Sequence, residues 1–311
     1  MLQNCAIDAL TDPMTVFSAS VSPAQRRIHL ALWVLGLVLL LPACAGVDTW
    51  QREKIYRPTA LQNDAEKQVL QAANPDVSVL RVPSGSSGEW VEVLQVPALG
   101  SPSRDIRVLY LHGTFRHAYQ NLPKTLPMRR AEMAVWVPDY RGWGGSSPRL
   151  PDEPGIHDDA WVVWQFLQAQ GPRDPSVRWV IYGHSMGTAV ATRLAARLKG
   201  TNGYCALVLE SGFTSFSDLA QASVGWVGRA LVGMGSQRMA ASEDITGVHG
   251  PVWFLHGSQD TTVPMAQGRR LYDMAPPPKF WRDWPLGHSN LHTDTTGSYD
   301  QAWRDIATSC L

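Results

Sequence analysis

Hydrophobic residues recur along the chain at two spacings, one typical of β-strands and one typical of α-helices. Strand-like and helix-like stretches alternate. From Glu89 to Val96 apolar and polar positions alternate as in a half-buried strand, and Arg107 to Leu111 is a short aliphatic run. From Asp159 to Gln168 the apolar residues follow helical spacing. Further strands are predicted at Ala134–Pro138, Trp179–Tyr182, Ala206–Glu210, Val252–His256 and Phe280–Trp284, and further helices after Ser185 and at Tyr299–Thr308.

This alternation predicts an α/β fold with a mostly parallel central sheet and helices on both faces. The chain has 311 residues, of which 44% are hydrophobic, enough for one large core. We therefore expect one folded domain at residues 76–311, after a leader at 1–43 and a connecting segment at 44–75.

Residues 211–250 interrupt the alternation, with Ser, Gly and Met mixed into weakly amphipathic turns. Because this stretch follows the predicted strand at Ala206–Glu210, we interpret it as a small cap over the carboxyl ends of the strands. The alternative is an ordinary crossover helix with a long loop.

The leader contains an apolar run from Ile28 to Ala43, preceded by two arginines, which is the layout of a signal sequence. The run is followed by Cys44, and this junction resembles a bacterial lipoprotein signal in which the cysteine is lipidated. Two alternatives stay open: cleavage by an ordinary signal peptidase at Ala43-Cys44-Ala45, and an uncleaved anchor. The expected location is the bacterial cell envelope, with membrane attachment through the lipid, or the periplasm or medium after cleavage without lipidation.

Export would place the domain where disulfides form. With Cys5 in the leader and Cys44 lipidated, Cys205 and Cys310 are the two remaining thiols. The sequence leaves two interpretations, a disulfide between them or two separate buried thiols.

Charge narrows the choice of partner. Lys plus Arg and Asp plus Glu both number 27, and no basic stripe or acidic tail stands out. Nucleic acid is therefore not an expected partner. A small neutral or amphiphilic substrate fits this balance better.

The segment Gly183-His184-Ser185-Met186-Gly187 follows a predicted strand and opens a predicted helix. The glycines permit the tight turn that presents a serine as nucleophile, and the helix N-terminus favours a developing oxyanion. A serine hydroxyl needs a base to remove its proton, and that base needs a carboxylate to orient it. Ser185 is thus the predicted nucleophile.

Asp260 and His288 follow the ends of two later predicted strands, on the same edge of a parallel sheet as Ser185. We predict Asp260 as the orienting acid and His288 as the general base. The predicted oxyanion donors are the amide of Met186 and that of Thr114, with Phe115 as the alternative second donor.

Six segments in this order, LYLHGT, DYRGWGGSS, YGHSMGTAVA, LESGFTS, HGSQDTTVP and LGHSN, resemble the α/β-hydrolase-domain serine hydrolases. The branch most similar contains membrane-associated acyl-protein and lysophospholipid hydrolases and their bacterial relatives. The resemblance runs from about Trp50 to the C-terminus and implies the α/β-hydrolase fold and acyl-bond hydrolysis through Ser185, Asp260 and His288. One departure is the continuation of HGT by Phe115-Arg116-His117, where relatives often have a smaller, Gly-containing segment.

The expected reaction is hydrolysis of a carboxylic ester or thioester of a small or lipid-like substrate through an acyl-enzyme. No cofactor is expected. No metal is expected either, since His292 follows His288 without a third ligand at matching spacing. Two alternatives stay open: a serine peptidase or amidase, and a non-catalytic envelope protein that binds through the same fold.

Overall fold

The computed structural model describes residues 46–85, 88–170, 176–201 and 203–311. The leader at 1–43 and Cys44 lie outside the described residues. The strands are Ser78–Pro83 (β1), Trp90–Val96 (β2), Ile106–Leu111 (β3), Ala134–Asp139 (β4), Arg178–His184 (β5), Ala206–Glu210 (β6), Val252–Gly257 (β7) and Lys279–Trp284 (β8). The helices are residues 46–56 (α1), Asp64–Ala73 (α2), Ala118–Arg130 (α3), Glu153–Gln170 (α4), Gly187–Arg197 (α5), Phe216–Gly233 (α6), Ala241–Asp244 (α7), Met265–Met274 (α8) and Ser298–Thr308 (α9).

The eight strands form one sheet in the order β1-β2-β4-β3-β5-β6-β7-β8. β2 runs antiparallel to β1 and β4, and the strands from β4 to β8 pair in parallel. The predicted mostly parallel sheet is thereby confirmed.

Side chains of one strand alternate between two core layers, as the pleat of a strand requires. In β3, Leu109 and Leu111 join the layer covered by α4 and α5, where Val163 and Val190 are buried. Tyr110 of the same strand joins the layer that holds α3 and α9. The sheet is therefore covered on both faces.

The strands that bear the predicted site end side by side. His184, the last residue of β5, pairs with Glu210, the last residue of β6, and Glu210 also pairs with Leu255 of β7. Because the strands are parallel, the loops that follow them leave the sheet at the same edge.

Two segments contain more regular structure than the pattern predicts. The segment at 44–75, expected to be a connection, includes α1 and α2, and the fully buried Tyr56 contacts Phe216 edge to face. In the stretch 211–250, α6 begins at the Ser215 N-cap and is interrupted at Gly225, where φ is 75°. A positive φ at this glycine bends the element into two helical parts.

Cys205 lies just before β6 and Cys310 just after α9, and a disulfide joins the two. Across the described ranges no helix has the length and apolar character needed to span a bilayer.

Candidate active site

Ser185 stands at the turn between β5 and α5 with φ of +55°, a conformation that non-glycine residues rarely adopt. Two glycines allow this turn to pack. A Cβ on Gly183 would lie 2.3 Å from the carbonyl O of Gly187, and a Cβ on Gly187 would lie 1.9 Å from the carbonyl O of Leu111. The segment therefore folds as the sharp strand-to-helix turn that exposes a nucleophile.

The structure brings together all three predicted catalytic side chains. His288 Nε2 lies 3.0 Å from Ser185 Oγ, and His288 Nδ1 lies 2.7 Å from Asp260 Oδ2. Since an ionised carboxylate only accepts hydrogen bonds, Nδ1 carries the proton that it donates to Asp260. Nε2 is then the free acceptor that faces the serine hydroxyl.

Asp260 is held by its own loop as well as by His288. Its Oδ1 accepts hydrogen bonds from the backbone N–H groups of Thr262 at 2.9 Å and Val263 at 2.8 Å. Burial alone raises the pKa of this carboxyl, but the hydrogen bond and charge of His288 and the N–H of Val263 bring the pKa below its ordinary value. Asp260 is therefore ionised at neutral pH, as an orienting acid must be.

The predicted oxyanion donors flank Ser185. Met186 precedes α5 directly, and the loop after β3 passes so close that a Cβ on Gly113 would lie 3.0 Å from Ser185 Cβ. Within the described residues, the backbone N–H groups of Met186, Thr114 and Phe115 donate to no backbone carbonyl of a turn, loop or cap. Since these contacts do not distinguish the two candidate second donors, the choice between Thr114 and Phe115 stays a prediction.

A sequence model of the alpha/beta hydrolase family matches residues 108–311. The chain belongs to this family. An uncharacterized protein of Mycobacterium tuberculosis is 30% identical to this hydrolase over 263 residues, which cover 84% of the chain and 89% of the relative. The family predicted from the sequence motifs is thereby confirmed.

Vertebrate lipases are also similar to this hydrolase. The lysophosphatidylserine lipase ABHD12 of Danio rerio is 34% identical over 187 residues, which cover 54% of the chain and 47% of the lipase. The chain thus spans about half the length of these curated lipases.

Solved structures share the fold. An esterase of Pyrococcus furiosus superposes with a TM-score of 0.62 at 15% identity, covering 83% of the chain and 98% of the esterase. An alpha-beta hydrolase of Vibrio vulnificus gives 0.63 at 17% identity, covering 94% and 95%. These likenesses confirm the predicted α/β-hydrolase fold.

A buried polar cluster that sequence reasoning missed lies next to Ser185 and His288. The carboxylate of Glu210, at the end of β6, is 1% exposed and accepts hydrogen bonds from the hydroxyls of Tyr182 and Tyr299. Lys124 of α3 places Nζ 3.7 Å from Glu210 Oε1, an ion pair longer than a hydrogen bond. Burial lowers the pKa of Lys124 to about 8.

His184 connects this cluster to His288, the predicted general base. Burial, together with the positive charge of Lys124, lowers the pKa of His184 well below its ordinary value, so the ring is neutral. Its Nε2 lies 3.1 Å from the backbone carbonyl O of His288, which also accepts from the hydroxyl of Ser211 at 3.2 Å. Two side chains thus fix the backbone of His288.

Part of this cluster could have been predicted from the sequence. His184 and Glu210 stand inside motifs quoted above, but their side chains had no assigned role. Lys124 lies on α3, which the pattern did not predict. Across the described residues, no group of three or more His, Cys, Asp or Glu side chains is placed to hold a metal ion.

Proposed function

We propose that this hydrolase cleaves carboxylic ester or thioester bonds through an acyl-enzyme on Ser185. The observation that carries the proposal is the continuous chain of contacts from Asp260 through His288 to the serine hydroxyl, at 2.7 and 3.0 Å. These contacts supply the three components that activate a serine: a nucleophile, a base within reach and an acid that orients the base.

In the first half of the proposed reaction, Ser185 Oγ attacks the substrate carbonyl carbon while His288 Nε2 takes the hydroxyl proton. The carbonyl oxygen becomes an oxyanion, which accepts hydrogen bonds from the amides of Met186 and of Thr114 or Phe115. Collapse of this intermediate breaks the bond to the alcohol or thiol, which takes the proton from His288. The acyl group is left on Ser185.

In the second half, water attacks the acyl-enzyme and gives its proton to His288 Nε2. Collapse releases the carboxylic acid and returns the proton to Ser185 Oγ. Throughout the cycle, Asp260 stabilises the protonated imidazole and fixes its orientation. The steps proposed here are complete with the residues of this chain and water.

We infer that the substrates are small-molecule or lipid-like acyl esters. The vertebrate relatives are named lysophosphatidylserine lipases, and this supports an amphiphilic substrate. The balanced charge of the chain agrees with such a ligand.

We propose further that Cys44 carries a lipid anchor that holds the hydrolase at the bacterial envelope. The sequence Leu41-Pro42-Ala43-Cys44 after an apolar run supports this attachment. Intact-mass measurement of membrane-extracted protein tests it: an N-terminal diacylglyceryl cysteine is expected in the wild type and should be absent in Cys44→Ser. An unmodified or differently cleaved N-terminus in the wild type would contradict the lipid anchor.

The central experiment compares fluorophosphonate labelling of the full chain in the wild type and in Ser185→Ala. We expect one adduct per wild-type chain, detected by mass, and none in the variant, together with hydrolysis of acyl esters by the wild type alone. Absence of an adduct on folded wild-type protein would support a binding protein. Labelling with faster cleavage of peptide amides than of esters would support a peptidase.

A further inference from the structure

Helix α6 presents large apolar side chains to solvent. Val224 is 68% exposed and Trp226 78%, while Val227, Leu231 and Met234 expose 48%, 44% and 55% of their surface. We call these five residues the α6 apolar face. Exposed apolar patches of this kind are uncommon on monomeric proteins and usually mark a binding surface.

α6 packs against the domain so that these side chains point to solvent. Gly228 is the buried residue of the helix, and Val227 and Leu231, four positions apart, share one side of it. Arg229 folds back to Asp218, with Nη1 2.8 Å from Oδ1. The guanidinium of Arg229 therefore lies along the helix beside Asp218, and the exposed side that carries Val227 and Leu231 is apolar.

Helix α1 adjoins the carboxyl end of α6. The side chain of Gln51 donates a hydrogen bond to the backbone carbonyl of Leu231, and Asp48 Oδ1 accepts from the hydroxyl of Ser236 at 2.6 Å. Trp50 of α1 is 52% exposed. The first described residues of the chain are thus attached beside the α6 apolar face.

The sequence that precedes α1 indicates what binds to the α6 apolar face. The apolar run from Ile28 to Ala43, with Cys44 after it, ends just before Gly46. The intervening residues can reach only about 10 Å, since an extended chain advances about 3.5 Å per residue. If the run inserts into lipid or Cys44 is lipidated, the bilayer surface lies next to α1 and the carboxyl end of α6.

We propose that the α6 apolar face, together with Trp50, docks on the surface of a lipid bilayer. Trp side chains are well suited to the membrane interface, because the ring is largely apolar and its N–H can reach water or headgroups. α6 follows the carboxyl end of β6, whose last residue, Glu210, accepts the Ser185 N–H. Docking of α6 therefore turns this edge of the sheet, where Ser185 lies, toward the lipid. Delivery of amphiphilic esters from the bilayer is the functional consequence, and this part rests on the proposed ester hydrolysis.

The first test reads docking without using activity. Val224 on α6 and Val69 on α2 are both 68% exposed, so Val224→Cys and Val69→Cys form a matched pair. The full chain is bound to phosphatidylcholine vesicles and treated with a membrane-impermeant maleimide, and modification is read by peptide mass so that other thiols do not count. We expect at least fivefold slower labelling of Cys at 224 than at 69 on vesicles, and similar rates in their absence.

Equal labelling of the two sites on vesicles would overturn the proposal. So would slow labelling at 224 without vesicles that accompanies a dimer in light scattering, because the face would then be covered by a second copy of the chain. The result does not depend on Ser185, so it separates this proposal from the proposed chemistry.

The second test concerns delivery of substrate. In the full chain on vesicles, the combined variant Trp226→Ser/Leu231→Ser should lose tenfold or more in the rate on a long-chain ester embedded in phosphatidylcholine. Its rate on a water-soluble short-chain ester and its fluorophosphonate labelling should equal those of the wild type, and Val69→Ser should lose neither rate. An unchanged rate on the embedded ester would refute delivery through α6, while absence of both rates and of the adduct in the wild type would instead refute the proposed ester hydrolysis.

Discussion

The backbone N–H of Ser185 donates a hydrogen bond of 2.9 Å to the backbone carbonyl of Glu210. The carboxylate of the same Glu210 lies 3.7 Å from the ammonium of Lys124 and 3.9 Å from Nε2 of His184. His184 in turn contacts the backbone of His288. One residue therefore holds the turn at Ser185 and, through its neighbours, the backbone of His288.

Glu210→Gln should lower kcat for ester hydrolysis roughly tenfold to hundredfold with little change in KM, because small displacements of catalytic groups cost rate. The substitution preserves the backbone hydrogen bond to Ser185 but leaves Lys124 buried without its counter-charge. Steady-state kinetics and the pH profile of kcat measure the effect.

The control for this prediction is Glu92→Gln, which alters another fully buried carboxylate that pairs with Lys67. It should change stability without shifting the pH profile of kcat. Equal kinetic effects of the two substitutions would mean that Glu210 acts only through stability.

Asp260→Asn should lower kcat by about 10³- to 10⁴-fold, because an amide can donate to His288 and so favour the wrong imidazole tautomer. The amide oxygen can still accept from the N–H groups of Thr262 and Val263, so the loop should stay folded. Ester kinetics and circular dichroism give the two readouts. Asp283→Asn, at a carboxylate with a 40% exposed side chain, is the control and should retain activity; a retained rate in Asp260→Asn would remove this residue from the triad.

Lys124 should make stability depend on pH in the alkaline range. Its pKa in the folded state is about 8, below the ordinary value of 10.5. Between these two values the unfolded chain binds more protons than the native one, so the free energy of unfolding contributed by this group rises with pH. In urea unfolding between pH 8 and pH 10, the wild type should gain stability relative to Lys124→Met; a constant difference across this range would contradict the lowered pKa.

Replacing the disulfide by Cys205→Ser/Cys310→Ser should lower the free energy of unfolding by about 2–4 kcal/mol, because the bond closes a long loop in the unfolded chain. The two cysteines are 105 positions apart in the sequence. Cys205 precedes β6, while Ser185 stands at the carboxyl edge of the sheet, so activity below the unfolding transition should be unchanged. Urea unfolding of oxidised and reduced wild type provides the comparison, and equal midpoints would show that the bond does not contribute to stability.

Several elements were predictable because their signals are local. β5, β6 and β7 are short apolar runs that end at polar or glycine residues, as buried parallel strands do. The turn at Ser185 could be read from two glycines that the close approach of backbones requires. Since Asp260 and His288 each follow a strand end, the parallel topology was sufficient to predict their proximity.

Helix α3 shows where local signals fail. It contains Pro123 and Pro127, which lack the N–H of a regular helix, and its apolar residues do not form a clear stripe. The helix exists because Met128 and its neighbours pack into the core layer shared with α9. Tertiary packing thus overrides a weak intrinsic preference.

The sequence alone was enough to predict the α/β-hydrolase fold, the turn at Ser185 and the three residues proposed as the triad, because each depends on neighbours along the chain or on the end of a strand. The packed structure was needed to show that Lys124, His184 and Glu210 share one buried cluster, and that α1 contacts the carboxyl end of α6. Both arrangements join elements that are distant in sequence. Burial, charge pairing and surface exposure are properties of the packed elements, so no periodicity within one element encodes them.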